Sequence, residues 1–372
     1  MKPEKKLRVG IVFGGRSGEH EVSLTSAKGV MNAINKDKYE VVPIGITKEG
    51  QWLAGSNVHQ KLLEASAGHP LLANETAAES GEQVEQALML GVADTGQLDV
   101  IFPVLHGTFG EDGTVQGFFE LVNLPYVGAG VLGSAVGMDK AIAKDIFRAH
   151  GLPIVTHRTF LRKQWQNDPE AVLLECEGAM TYPMFVKPAN LGSSVGIHKA
   201  NNRDELQAGL DDAARYDRKL IIEQGLDARE IEVSVLGNDD PIASVPGEIV
   251  PTKEFYSYAA KYLDNDSELH IPAPISAEHT EMIQQLAVMS YQALDCSGLA
   301  RCDFLLEKNT GEIFVNEVNT MPGFTPISMY PKLWEASGIS YSELVDRLIE
   351  LAIERFEDKQ QSQTDFDVST AE

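Results

Sequence analysis

Continuous apolar runs that end in glycine or in polar turns predict the strands of the first third of the chain. Leu7 to Phe13 stops at Gly14-Gly15, and Val100 to Leu105 stops at His106-Gly107. Strands that are apolar on both faces are typical of a parallel sheet covered by helices. Helical spacing follows both runs, which predicts an α/β domain with a doubly wound sheet and ligand groups at the carboxyl ends of its strands. The predicted elements are strands over 7–13, 39–46 and 100–105 and helices over 23–34 and 113–121.

A second region of mixed elements follows a helix with clear start and stop signals. The helix opens at Met138-Asp139-Lys140, runs to Ala149 and stops at Gly151-Leu152-Pro153. Beyond it, the pattern predicts a small mixed α/β region, a loop-like segment, a helix, an acidic hairpin and a C-terminal helix. We predict strands over 184–187, 196–200, 220–224 and 230–236, helices over 203–216, 277–295 and 341–356, a loop-like segment over 246–274, and a polar tail that frays from residue 357.

The length of the chain sets the expected number of domains. With 372 residues, 43% of them hydrophobic, the chain is too long for one ordinary core and can fill two or three. We expect domains over 1–139, 140–237 and 238–372. Residues 59–91 are rich in Ala, Glu, Gln and Gly, and they are predicted to form an insertion or a pair of surface helices.

Charge and hydropathy exclude several classes of function. The formal net charge of -24 argues against a general surface for nucleic acid or for an anionic membrane, because both are bound by clustered Lys and Arg. No apolar run approaches the roughly 18 residues of a membrane span, and the charged start of the chain leads directly into a strand. Cys176, Cys296 and Cys302 show neither CxxC pairing nor zinc spacing, so we expect buried thiols and a cytoplasmic protein.

Carboxylates on the predicted acidic hairpin form a candidate metal site. Asp303 lies on one β-rich run, while Glu317 and Asn319 lie two residues apart on the next and therefore share a face of that strand. Hard oxygen donors of this kind suit Mg2+, which keeps several waters and bridges to nucleotide phosphates. Alone, the same residues fit equally well a hairpin whose acidic side chains face water.

A small turn rich in Gly and Ser forms a candidate phosphate site. Lys187 ends a predicted strand, and residues 191–196 (LGSSVG) connect it to the next one. Backbone N–H groups and hydroxyls can approach phosphate oxygens in such a turn, with Lys187 as a point charge. The chain has no Walker sequence, and an ordinary hairpin turn is the alternative. Together with Lys140, Glu223 and the acidic hairpin, the phosphate interpretation is favoured.

The order of these motifs resembles two nested families. Lys140, Lys187-Pro188, the turn at 192–196, Glu223 and Glu317-Val318-Asn319 follow the order of the ATP-grasp fold, in which two α/β subdomains clamp ATP. Further motifs resemble the D-alanine-D-alanine ligases across nearly the whole chain, outside residues 59–91 and the tail after residue 357. They are GGRSGEHEVS at 14–23, LHG at 105–107, EDG at 111–113, Lys261-Tyr262, and NTMPG at 319–323.

The resemblance implies an N-terminal doubly wound domain followed by a two-subdomain ATP-grasp fold, and a definite activity. Enzymes of this family phosphorylate one D-alanine with ATP and Mg2+, and the amine of a second D-alanine attacks the acyl phosphate. Such catalysis needs cations, metal ligands and hydrogen-bond donors more than a nucleophile. The partners implied are D-alanine and ATP, with two Mg2+ ions (Mn2+ also being suitable) and a homodimer.

The resemblance also assigns roles to ATP-site residues. Lys140 and Lys187 would contact phosphates, Glu223, Gln224 and Leu226 would hold adenine, and Glu230 would lie by the ribose. Asp303, Glu317 and Asn319 would bind the metal ions. The full implied ATP-binding set is Lys140, Lys187, Ser193, Ser194, Glu223, Gln224, Leu226, Glu230, Lys261, Asn316 and Glu317.

Substrate residues follow from the same resemblance. Glu19 would pair with the ammonium of the first D-alanine, and His106 would lie beside the substrate, although a lone His after an apolar run is more often structural. Arg301 and the N–H of Gly323 would face the tetrahedral oxyanion. An ion pair of Arg301 with Asp303 is the alternative. Ser328 would meet the carboxylate of the second substrate, or else cap the next helix.

A long aromatic loop would close the site. It contains Tyr256, Tyr258, Lys261 and Tyr262. By resemblance, Tyr262 would bond to Ser193 and Glu230 and exclude water from the acyl phosphate; packing against a domain edge is the alternative. Relatives that make a D-lactate ester have His at this position, so Tyr favours an amine nucleophile and leaves D-serine open.

One motif is given less weight, and three rival functions remain. Residues 128–133 (GAGVLG) match GxGxxG, but no acidic residue follows about 20 positions later, so a turn near the substrate is predicted instead of a dinucleotide site.

The rival functions are a D-alanine-D-serine ligase, a nucleotide-binding regulator without catalysis and, most weakly, an NAD-dependent dehydrogenase. The intact set of Arg301, Asp303, Glu317 and Asn319 argues against the regulator.

Overall fold

The computed structural model describes residues 5–55, 57–67, 98–192, 195–250 and 268–363. The described chain forms three sheets. The first has the order β3-β2-β1-β4, with β2 and β4 both parallel to β1 and β3 antiparallel to β2. This confirms the predicted parallel sheet. Its elements are β1 Leu7–Gly14, α1 His20–Ala33, β2 Tyr39–Ile46, β3 Trp52–Ala54, α2 Val58–Ser66, β4 Val100–Val104, α3 Thr114–Leu121 and α4 Val131–Met138.

Ser23 fixes the start of helix α1 against the ends of two strands. Its hydroxyl accepts the N–H of Gly14 at 2.8 Å and donates to the carbonyl of Val104. The helix therefore begins close to the carboxyl edge of the sheet. It starts at His20, three residues before the predicted start, because the N–H of Ser23 already bonds to the carbonyl of Glu19 at 3.0 Å.

The second sheet is antiparallel, with the order β5-β8-β6-β7. Asp139 caps the helix before it, since its carboxylate accepts the N–H groups of Ala141 and Ile142. The predicted start of that helix at residues 138–140 is thereby confirmed. The elements of this region are α5 Lys140–Ala149, β5 His157–Leu161, α6 Arg162–Asn167, α7 Pro169–Ala179, β6 Met184–Pro188, β7 His198–Ala200, α8 Arg203–Tyr216 and β8 Lys219–Gln224.

The third sheet has six strands, in the order β12-β11-β9-β13-β14, with β10 paired to β9. The prediction of a loop-like segment over 246–274 is wrong at both ends, because β11 and β12 lie there. Residues 251–267 lie outside the described residues. The elements are β9 Ala228–Gly237, β10 Ile242–Ala243, β11 Gly247–Val250, β12 Glu268–His270, α9 Ala277–Ala293, β13 Gly298–Glu307, β14 Ile313–Asn319, α10 Met329–Ala336 and α11 Tyr341–Lys359.

The C-terminal helix packs on the first sheet although it follows the third in sequence. Leu344 and Leu348 of α11 are fully buried in one core with Val9 of β1 and Val104 of β4. The helix continues to Lys359, past the residue 357 where fraying was predicted. Leu236 of β9 and Leu299 of β13 belong to the same core, so the first and third sheets share it.

Two further predictions concern the cysteines and the glycine-rich motif. Cys176, Cys296 and Cys302 are buried free thiols, as predicted. The prediction of a turn over 128–133 is correct only for its first half, because Gly130 precedes α4 and Val131 is its first residue. In the part of the chain that the structure describes, no helix is both long and apolar enough to cross a membrane.

Gly29 allows the loop after β14 to lie directly on helix α1. A Cβ at this position would lie 2.5 Å from the carbonyl oxygen of Phe324 and 2.8 Å from the hydroxyl of Tyr341. We expect Gly29→Ala to lower the free energy of unfolding by about 1–3 kcal/mol, because backbone would have to move. Urea unfolding measures this change. Gly117→Ala is the matched control, since a Cβ there meets nothing within 4 Å; an equal loss in both variants would contradict the steric explanation.

Candidate active site

The loops after β1 and β4 are joined at the carboxyl edge of the first sheet. The hydroxyl of Ser17 donates to the carbonyl of His106 at 2.7 Å and accepts the N–H of Glu19 at 3.2 Å. Glu19 immediately precedes α1 and is buried. The structure therefore places Glu19 and His106, two predicted substrate residues, at one edge of the sheet.

His106 connects this edge to the loop after β14. Its Nδ1 lies 3.0 Å from the carbonyl of Met321, so Nδ1 carries the proton, and its Nε2 lies 3.1 Å from the hydroxyl of Ser26. Ser26 in turn accepts the N–H of Phe324 at 3.2 Å. Burial lowers the pKa of His106 to about 4, which keeps the ring neutral. These contacts make His106 a support for residues 321–324.

The predicted metal hairpin brings its polar residues together. Asp303 faces Glu317 across β13 and β14, and Arg301 faces Asn319. The amide of Asn319 donates to Asp303 at 2.9 Å. A bulge immediately after Asp303 marks the point where the register changes.

Cations balance the carboxylates of this hairpin. Arg301 donates through Nε and Nη2 to both oxygens of Asp303 at 2.7 and 2.8 Å, and its Nε lies 3.1 Å from Glu232. Glu317 lies 3.1 Å from the ammonium of Lys140. The ion pair that was the alternative role of Arg301 therefore exists, and it also fixes the plane of the guanidinium.

The donor set of the hairpin fits Mg2+. Among the described residues, no group of three or more His, Cys, Asp or Glu could hold a metal ion alone. Two carboxylates and one amide oxygen, from Asp303, Glu317 and Asn319, make a partial oxygen set instead. Such a set suits an ion that takes one or two carboxylates from protein and the rest of its ligands from water and phosphate.

A buried carboxylate between two lysines lies on the second sheet. The carboxylate of Glu223 forms ion pairs with the ammonium groups of Lys187, at 2.5 Å, and of Lys144, at 2.9 Å. Burial raises the pKa of the Glu223 carboxyl, but the two ammonium groups outweigh it and bring the pKa to about 2. Lys144 also donates to the carbonyl of Asn316 at 3.1 Å, so it joins the second sheet to β14.

Lys140 joins the glycine-rich turn to the hairpin. Its ammonium donates to the carbonyl of Leu191 at 2.9 Å and lies beside Glu317. Lys140 and Lys144 are one helical turn apart on α5, so both reach the same side. The sequence prediction included Lys140 and missed Lys144, although this spacing of four residues was visible.

A cavity of about 730 Å³ lies between the second and third sheets. It lies within the usual size range of small-molecule sites. Gly192 of the glycine-rich turn is one of its lining residues. The predicted ATP and metal residues that line it are Lys140, Lys187, Glu223, Gln224, Leu226, Glu230, Asp303, Asn316 and Glu317.

Gly323 and Ser328 lie in one short loop. A Cβ at Gly323 would lie 2.6 Å from the hydroxyl of Ser328. Ser328 occupies the position before α10, but its hydroxyl accepts the N–H of Thr325 at 3.0 Å and does not cap the helix. The capping alternative is therefore wrong. Ser193, Ser194, Lys261 and Tyr262, with the aromatic loop, lie outside the described residues.

Comparisons with known proteins cover nearly the whole chain. Models described as the N-terminus and the C-terminus of D-ala D-ala ligase match residues 8–129 and 146–350. A D-alanine–D-alanine ligase of Natranaerobius thermophilus is 49% identical over 98% of this chain and all of its own length. One of Heliobacterium modesticaldum is 52% identical, over 97% of this chain and 98% of its own.

Solved structures agree with these relatives. The D-alanine-D-alanine ligase of Coxiella burnetii superposes with a TM-score of 0.81 at 37% identity, over 96% of this chain and 97% of that one. The VanG D-Ala:D-Ser ligase of Enterococcus faecalis gives a TM-score of 0.79 at 38% identity, over 94% of this chain and all of that one. The chain has the ATP-grasp architecture of these enzymes, and it belongs to the D-alanine–D-alanine ligase family.

Proposed function

We propose that this protein joins two D-alanine molecules to D-alanyl-D-alanine with ATP, through an acyl phosphate, and so supplies a peptidoglycan precursor. Relatives of that name are about half identical over nearly the full length. One observation carries the proposal within the structure. Gly192 lines the cavity that holds the candidate ATP residues, and a Cβ on this glycine would lie 3.3 Å from Oε2 of Glu19 at the edge of the first sheet.

ATP would occupy the cavity between the second and third sheets. Lys140 and Lys187 supply positive charge for the phosphates, and both ammonium groups are already held by carboxylates, which fixes their positions. Glu223, Gln224 and Leu226 would surround adenine, and Glu230 would lie by the ribose. Asn316, together with Ser193, Ser194 and Lys261 outside the described residues, completes the proposed ATP set.

Asp303, Glu317 and Asn319 would hold two Mg2+ ions, or Mn2+ in their place. A bound Mg2+ neutralises charge on the phosphate oxygens during transfer. Arg301 and Lys140 form ion pairs with the two carboxylates and therefore hold them in place where a metal ion would bind. Glu317 would then contact both the metal and the nucleotide.

Substrate would lie between the first sheet and the hairpin. We assign Glu19 to the ammonium of the first D-alanine, His106 to the support of the 321–324 loop beside it, and Ser328 to the carboxylate of the second. Arg301 and the N–H of Gly323 would stabilise the oxyanion. The fixed guanidinium needs no reorganisation when this charge develops. Tyr262, outside the described residues, would close the site with Ser193 and Glu230.

The reaction has two balanced steps. A carboxylate oxygen of the first D-alanine attacks the γ-phosphorus and ADP leaves. The ammonium of the second D-alanine loses one proton to solvent, and the resulting amine attacks the acyl carbon. The bond from that carbon to the phosphate oxygen breaks, and the second proton lost by the nitrogen leaves with phosphate. Positioning and charge stabilisation are the contributions required of the protein.

Broader assignments accompany this function. We propose the domain division 1–139, 140–237 and 238–372. The first part carries the first sheet, and the second carries the second sheet together with β9 of the third. The resemblance to the family supports a homodimer, and the use of ATP supports a cytoplasmic location. Size-exclusion chromatography with light scattering tests the dimer.

The test is phosphate release from ATP with Mg2+ and D-alanine, followed by mass analysis of the product. We expect phosphate and the mass of D-alanyl-D-alanine. Because one structural relative is a D-Ala:D-Ser ligase, a second reaction with equal D-alanine and D-serine measures the choice of acceptor. ATP binding without phosphate release would overturn the proposal in favour of a nucleotide-binding regulator.

A further inference from the structure

Two buried carboxylates of the first sheet converge on the glycine-rich turn. Glu19 precedes α1, and Glu111 lies in the loop between β4 and α3; they are 4% and 8% exposed. A Cβ at Gly192 would lie 3.2 Å from Oε1 of Glu111 and 3.3 Å from Oε2 of Glu19. Oxygens of both carboxylates therefore lie against the same glycine of the turn.

One oxygen of the Glu111 carboxyl accepts a backbone hydrogen bond from its own loop. Its Oε1 accepts the N–H of Gly107 at 2.7 Å, and this is the one hydrogen bond to that carboxyl from the described part of the chain. Gly107 is itself confined by Glu19, since a Cβ there would lie 2.6 Å from Oε2 of Glu19. The two carboxylates are thus held close together by the backbone of one loop.

Charged groups from several elements face Glu111. Burial is the largest cause that raises the pKa of Glu111, and the charges of Glu19 and of Glu317 on β14 also raise it, so that the pKa is about 8. The N–H of Gly107 and the ammonium of Lys140 on α5 act in the opposite direction. Two adjacent buried carboxyls resist double ionisation unless a cation lies between them. At pH 7, Glu111 is therefore mostly protonated.

We propose that Glu111 is the second carboxylate of a clamp for the ammonium of the first D-alanine, with Glu19 as the first. This inference rests on the proposed function. An ammonium has three donors and satisfies both carboxylates at once. On binding, the O–H bond of Glu111 breaks, its proton passes to solvent, and the ammonium keeps its own three protons. The clamp also discriminates against a 2-hydroxy acid in this position, because a hydroxyl cannot neutralise two carboxylates.

Glu111→Gln separates this role from a structural one. Glutamine keeps an oxygen that accepts the N–H of Gly107, so the loop is retained, but it cannot ionise. We expect the KM for D-alanine to rise about 10- to 100-fold, as for loss of a charge-assisted hydrogen bond, with a smaller change in kcat. A purely structural role predicts that Gln behaves as wild type. Glu281→Gln, an exposed carboxylate on α9, is the matched control.

Proton release is the direct readout. Calorimetry of D-alanine binding, with an ATP analogue that cannot transfer its γ-phosphoryl group, is run in two buffers of different ionisation enthalpy. At pH 7, wild type should release up to one proton per D-alanine bound, because Glu111 starts protonated and ends ionised. The release should vanish as the pH rises through about 8, where Glu111 of the free protein is already ionised. The Gln variant should release none.

The outcomes distinguish the two proposals. If wild type releases phosphate with D-alanine but Glu111→Gln keeps both its KM and its proton release, the clamp is overturned and the ligase function stands. If wild type releases no phosphate with D-alanine, the proposed function fails first. Matching unfolding midpoints for wild type and Glu111→Gln establish that the loop is intact, and a raised KM with lost proton release then supports the clamp.

Discussion

Replacing Arg301 by lysine is expected to lower kcat by about 10²- to 10³-fold while the protein still binds ATP. Arg301 lies at the hairpin with its guanidinium fixed by both oxygens of Asp303 and by Glu232. Lysine keeps the positive charge but replaces a rigid fork with a flexible point charge. It can neutralise the carboxylates, yet it cannot hold donors in a fixed plane toward a developing oxyanion.

The measurement is the steady-state rate of phosphate release with saturating D-alanine and ATP. Arg347→Lys is the matched control, because Arg347 pairs with Glu343 on the exposed face of α11. A kcat for Arg301→Lys within twofold of wild type would remove Arg301 from the oxyanion role and leave it as a structural ion pair. A loss confined to the KM for ATP would instead place it on the nucleotide.

Most regular elements followed from sequence because local pattern and tertiary context agree. The apolar run of β4, and that of β1 from Val9 onward, are buried on both faces in a parallel sheet, as such runs predict. Helix α5 was located by Asp139 and by Gly151-Leu152-Pro153, because capping and termination depend on a few adjacent residues. The observed boundary of an element differs from the predicted one where a backbone hydrogen bond extends the element. The bond from the N–H of Ser23 to the carbonyl of Glu19 extends α1 in this way.

The elements that were missed depend on partners far away in sequence. β11 has only four residues, and it is a strand because it pairs with residues 230–232 of β9. A run of this length carries no periodicity by which to distinguish it from a loop. The sequence pattern predicts no element over 157–179, which forms β5, α6 and α7, because the strand there is short and only two of its five residues are buried.

The sequence predicted which residues belong to the candidate site, but not how those residues are arranged in space. Motif order identified Lys140, Lys187, Glu223 and Glu317, and these residues line one cavity. Sequence did not show that Lys144 completes a buried triad with Glu223, since that contact joins a helix to a strand nearly 80 positions later. Glu111 was noted only as part of a motif. Its closeness to Glu19 arises from the loop around Gly107, which no spacing rule reveals.

The largest loss of activity is expected from Glu317→Ala, with turnover falling by at least about 10³-fold. Glu317 faces Asp303 across the hairpin and lies 3.1 Å from Lys140, so it connects the proposed metal site to a lysine proposed to bind phosphate. Metal stabilisation of phosphoryl charge amounts to several kcal/mol, and each 1.36 kcal/mol corresponds to a factor of ten in rate. Alanine removes the carboxylate proposed to bind the metal and leaves Lys140 with its bond to the carbonyl of Leu191.

The fold should survive this change, because Glu317 is partly exposed and belongs to none of the apolar cores. Glu312→Ala, on the exposed end of the same hairpin, is the matched control and should retain wild-type turnover. Titration with Mn2+ in the presence of ADP, followed by electron paramagnetic resonance, measures the metal directly. Lost turnover with lost Mn2+ binding and an unchanged unfolding midpoint supports a metal ligand. Because Lys140 lies beside Glu317, lost turnover with Mn2+ binding intact would assign Glu317 to the placement of that lysine, and wild-type turnover would reject both roles.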